Sequence, residues 1–141
     1  MRTWKDRDGR EWLVDVNVGS IRKVKAVTTI DLLSVVDGTL GEKLSDPMAL
    51  CDVLWVLSED QALKKSITPE AFGASLAGDS LEAAVTALVE EIVDFFPQQR
   101  RKILKAILEK ARASEKRALD KVMVKVESPE VQEAIDKVFA M

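Results

Sequence analysis

Histidine is absent from the 141 residues and cysteine occurs once, as Cys51. A single chain therefore cannot assemble the usual zinc, haem-axial, Ser/His or Cys/His sets, each of which needs imidazole or several thiolates. The patterns GxGxxG, GxxxxGK[ST] and CxxC are missing as well, so nucleotide and paired-thiol sites have no support. No apolar run approaches the roughly 20 residues of a membrane span. The opening MRTWKDRDGR has no apolar region of the kind a signal peptide carries. These absences predict a cytoplasmic protein with no catalytic residues, no metal, no cofactor and no membrane partner. Cys51 lies in MALCDVLWVL among apolar neighbours at helical spacing and reads as a small buried hydrophobe rather than a reactive thiol.

The acidic pairs offer little more. Neighbours in a helix point about 100° apart, so Glu59-Asp60 and Glu90-Glu91 read as solvent-facing charges. Asp6 and Asp8 beside Gly9 resemble the start of a calcium loop, but without a distant glutamate in register they read as a turn.

What is present is helical periodicity. In 79–96, DSLEAAVTALVEEIVDFF, the residues Leu81, Ala84, Val85, Leu88, Ile92, Phe95 and Phe96 recur at steps of three and four and form one apolar stripe. Asp79 is placed to cap this helix, with Glu82 at capping-box spacing, and Pro97 stops it. Two further helices open on a cap residue followed by proline, Asp46-Pro47 and Thr68-Pro69, and a third is expected at Ser128-Pro129. The first carries Ala49, Leu50, Val53, Leu54 and Leu57 on one face, with Trp55 and Val56 widening it. Between Pro97 and Ser128 a long charged helix is expected, with Ile103, Leu104, Ile107, Leu108 and Ala111 on its apolar side.

The N-terminal part reads differently. Trp12, Val14, Val16 and Val18 alternate with Glu11, Asp15 and Asn17, a period of two that predicts a strand over 11–18. Arg7-Asp8-Gly9 supplies a turn back to a partner strand at 2–5, which brings Trp4 near Trp12. Ser20 is placed to cap a short helix over 21–27, the run 30–36 fits strand or helix equally, and Asp37-Gly38 and Gly41 mark a loop up to Ser45. The fold class that follows is α+β, mainly α: a hairpin packed on a helical bundle in 1–97, with a charged helical extension over 98–141.

Charge divides at the same place. Residues 1–97 carry 10 Lys and Arg against 17 Asp and Glu, net −7, whereas 98–141 carry 11 against 7, net +4. A basic segment on an acidic body is a candidate for nucleic acid, through Arg100, Arg101, Lys102, Lys105, Arg112, Lys116 and Arg117. However, Glu109, Glu115 and Asp120 are interspersed and no aromatic residue lies between Phe96 and Phe139, so a base-stacking surface has no parts. A small nucleic-acid-binding or regulatory module therefore stands as the alternative reading.

The order of segments LVDVNVGSIRKVK, TTIDLL, SDPMALCDVLWVLSED and ITPEAFGASLAGDSLEAAVTALVEEIVDFF over 1–97 resembles the tail assembly chaperones of tailed bacteriophages and gene-transfer agents. The resemblance implies a non-enzymatic protein, in the host cytoplasm if phage-encoded, that keeps the tape-measure protein soluble during tail assembly. It fixes no binding residues. By bulk and position the candidates for partner binding are Trp55, Phe95, Phe96, Ile103, Ile107 and Ala111. A homo-oligomer is expected too, with 103–118 in the contact, because little chain is left to cover that stripe.

Overall fold

The computed structural model describes residues 1–36 and 38–126, and their side chains except those of 111, 115, 116 and 119–126. The helix expected at Ser128-Pro129 lies outside the described residues. The chain divides into two units, Met1–Arg101 and Lys102–Met141. It is mainly helical, with an antiparallel two-stranded hairpin at the N-terminus packed against helices.

Strands β1 (Arg2–Lys5) and β2 (Glu11–Val14) pair with Trp4 opposite Trp12 and Arg2 opposite Val14. The turn uses Gly9 at φ 81°, a left-handed conformation that costs glycine nothing. The alternation continues beyond Val14, and Val16 is buried, but strand pairing stops where β1 runs out at Arg2. Strand β2 is thus shorter than the 11–18 pattern suggests.

Helix α1 (Val18–Thr28) begins three residues before the expected start. Asn17 is the cap: its Oδ1 accepts from the Ser20 N–H at 2.9 Å, and Ser20 Oγ accepts from the Asn17 N–H at 2.8 Å. Ser20 is therefore the reciprocal partner of the cap rather than the cap itself. The ambiguous run resolves into a 3-10 turn, Leu32–Val35, started by the Asp31 carboxylate on the Leu33 N–H. The expected loop before Ser45 is instead helix α2 (Thr39–Leu44). Leu40 and Leu44, one turn apart, are both buried, and this apolar pair outweighs the glycines that signal a loop.

Helix α3 (Pro47–Lys64) is the centre of the unit and packs on α1, α2 and β2. It also meets α4 (Pro69–Ala74) and α5 (Asp79–Phe95). Both expected caps form, from Asp46 to the Met48 N–H at 3.0 Å and from Thr68 to the Ala71 N–H at 3.1 Å. Leu50, Val53 and Leu54 are buried on one side of α3 and Val56 on its flank. At α5 the cap is Gly78 (φ 58°, ψ −127°), with no side-chain hydrogen bond. Asp79 lies instead inside the first turn with Glu82, where carboxylates favour the positive end of the helix. Ala84, Leu88, Ile92 and Val93 are buried. Phe96 is extended before Pro97, and α6 (Gln98–Val126) starts directly after it.

Candidate functional site

The hairpin, α3 and α4 bring four aromatic rings together. Trp4 and Trp12 lie 6.1 Å apart at 21°, as their register dictates, and Phe72 of α4 meets Trp12 edge-on at 5.0 Å. Trp55 of α3 meets Phe72 at 5.4 Å. Such offset and edge-on pairs add about 0.5–1.5 kcal/mol each beyond burial. Trp55 is half-buried, so much of its ring belongs to this cluster.

Asp6 anchors the cluster from the turn. Its buried carboxylate accepts from Trp12 Nε1 at 2.9 Å, Arg10 Nε at 2.8 Å, the Arg10 N–H at 2.9 Å and the Asp8 N–H at 2.9 Å. Burial pushes this carboxyl upward, but the bonds from Trp12 and Arg10 together outweigh it and hold it below its ordinary value. Four donors saturate the two oxygens. Among the described residues, no group of three or more Asp, Glu, Cys or His is placed to hold a metal ion. Cys51 is half-buried, and burial first, then the Asp52 charge, pushes its thiol above the ordinary range, which disfavours the nucleophilic thiolate.

Of the acidic pair on α5, Glu90 is half-exposed but Glu91 is not solvent-facing as the sequence suggests. Glu91 is buried, with the Met1 ammonium 2.9 Å from its Oε1 and Arg2 Nε 3.8 Å from its Oε2. Arg2 also reaches Glu90 at 3.0 Å and donates to Asp94. One β1 guanidinium thereby ties the hairpin to three carboxylates across the last turns of α5. Helical periodicity shows these carboxylates on a polar flank; it carries no sign of a cation some 90 residues away in the chain. A groove of about 780 Å³ opens between β1 and the start of α5, lined by Thr3, Glu82, Ala83, Thr86 and Glu90 among others. Local sequence spacing gives no sign of that groove either.

The residues chosen by bulk fall in separate places. Phe96 is buried and stacks edge-on with half-buried Phe95 at 5.4 Å. On α6, Ile103 and Ile107 are 61% and 53% exposed one turn apart, while Leu104 is buried and Leu108 half-buried. The Ala111 side chain lies outside the described residues, as does that of Lys116. Arg100, Lys102, Lys105, Arg112 and Arg117 are exposed, but Lys105 and Arg112 already have interaction partners within the chain. No helix among the described residues is long and apolar enough to cross a membrane. No protein-family profile, curated protein or solved structure matches this chain.

Proposed function

We propose that this protein works by binding another protein, as a tail assembly chaperone that keeps the tape-measure protein soluble in the cytoplasm. The observation that carries the reading is the pair Ile103 and Ile107, more than half exposed on successive turns of a 29-residue helix. Apolar side chains at i and i+4 on a helix are the anchors of helix-to-helix recognition. A tape measure exposes apolar helical stripes before a tube closes round it, so it offers the complementary surface. The resemblance of 1–97 to the chaperones supports the same reading. No catalytic step and no cofactor are part of it. The same stripe is proposed to join copies of this chain when no partner is present.

Co-expression with the neighbouring tail genes, followed by pull-down at rising salt, tests the proposal. A long helical protein should be recovered and should stay bound at moderate salt, because apolar burial is not screened. Ile103→Glu with Ile107→Glu should release it. Contacts to about six phosphates would instead weaken on the order of 10³-fold between roughly 50 and 200 mM salt. Recovery of nucleic acid in place of a helical protein, lost over that range, would replace the proposal with the nucleic-acid reading.

A further inference from the structure

The two outer edges of the hairpin are treated differently. On β2, the Leu13 N–H donates to Gln61 Oε1 at 2.8 Å, and the Leu13 carbonyl accepts from Gln61 Nε2 at 2.8 Å. One side-chain amide of α3 thus occupies both groups as a neighbouring strand would. The Glu11 carbonyl, two residues back, accepts from Lys65 Nζ. That edge is closed.

The β1 edge is open. Since Leu13 turns its backbone groups outward, its cross-strand partner Thr3 does the same, and the alternation of an antiparallel ladder puts Lys5 in the same phase. The Asp6 N–H bonds inward to the Arg10 carbonyl at 2.9 Å, which confirms the phase. Arg7, the next outward residue, gives its N–H to the Ser75 carbonyl at 2.9 Å. Among the described residues nothing takes the outward N–H and C=O groups of Thr3 and Lys5, and both residues are exposed. Unpaired ladder groups of this kind are a template for a further strand.

Beside this edge lies the groove along α5, whose volume of about 780 Å³ falls among ligand-sized clefts, roughly 300–1,000 Å³. Small side chains, Ala83 and Thr86, line it beside exposed Asp79 and Glu82, which make it acidic. We propose that the outer edge of β1 accepts an extended segment of a partner protein as a third strand, with Lys or Arg side chains directed at Asp79 and Glu82. Main-chain pairing to Thr3 and Lys5 supplies the attachment and the acidic wall the choice of sequence. Because α5 packs on β1 and shares the lining of the groove with Thr3, the incoming chain must be narrow, which suits an extended segment better than a second folded copy. The site is built from residues of the first unit alone and does not depend on the role given to α6.

The probe is a labelled peptide alternating lysine and valine, added to the full chain and followed by fluorescence anisotropy and amide exchange. It should bind at least roughly tenfold tighter than a peptide alternating glutamate and valine, and binding should slow exchange at the Thr3 and Lys5 amides. Thr3→Pro removes an N–H that the β2 ladder does not use, a change an edge strand tolerates, and should weaken binding about tenfold. Glu82→Lys should do the same through charge, and supplies the answer if the proline variant does not fold. Equal binding by the lysine peptide with alternate amides N-methylated would overturn the proposal, since charge alone would then be responsible. Protection on α6 in place of β1 would overturn it too. So would Thr3 and Lys5 amides already protected in a free dimer, which would make the occupant a second copy.

Discussion

Helices α5 and α6 carry apolar residues at the same spacing, yet the two stripes meet different surroundings. In α5, Leu88 is fully buried and Ile92 is 1% exposed, because the hairpin, the 3-10 turn and α3 all pack on it. In α6, Leu104 is buried while Ile103 and Ile107 stand in solvent. Periodicity reports that a helix has an apolar side. What covers that side is decided by elements distant in sequence, and for α5 these are strands and helices from three other parts of the chain.

The comparison is broken most severely by Leu88→Ala, which leaves a cavity where the elements around α5 converge. Loss of the side chain should cost about 2–5 kcal/mol in denaturant unfolding. An unfolding midpoint that stays in place would show that the α5 stripe is not the core.

The next effect lies within the hairpin, where two tryptophans with almost equal burial differ in their polar atoms. Trp12 Nε1 donates to Asp6, whereas buried Trp4 Nε1 has no hydrogen-bond partner among the described residues. Trp12→Phe should therefore be the more damaging, by about 1–3 kcal/mol over Trp4→Phe at neutral pH, since it leaves a buried carboxylate short of a donor. The folded value of Asp6 is depressed. Its stabilisation is therefore present above the ordinary value of 3.8 and is lost as pH falls through the folded value. Part of that depression comes from Trp12, so the gap between the two variants should narrow in acid. Paired urea titrations at neutral and acidic pH measure it, and a gap that does not narrow would mean that Asp6 does not depend on Trp12.

How much of this could be read in advance follows from the range of each signal. Caps written in consecutive residues, Asp46-Pro47 and Thr68-Pro69, are legible because the atoms that meet are neighbours in the chain. The tryptophan pair is legible for the same reason, since a short turn fixes its register. Helix α2 is less so: its reason for being helical is the burial of Leu40 and Leu44 where α2 meets the 3-10 turn and α3, and glycine signals alone argue for a loop. Glu91 and the open edge of β1 are not legible at all. Glu91 meets Met1 and Arg2 of the hairpin, and the two hairpin edges differ because Gln61 and Lys65 reach only β2, so both depend on elements that meet in the folded chain alone.

The smallest effect on stability sharpens the comparison most. Ile107→Glu removes an apolar side chain that is already more than half exposed, so unfolding should shift by no more than about 0.5 kcal/mol. That is several-fold less than at Leu88, although both residues are apolar members of amphipathic helices. If the exposed stripe serves association, the same substitution should abolish self-association, read by light scattering of the full chain at tens of micromolar. Stability unchanged and association lost would separate a surface kept for a partner from one kept for the fold. A large loss of stability in a chain that remains monomeric throughout would assign Ile107 to the packing of its own unit.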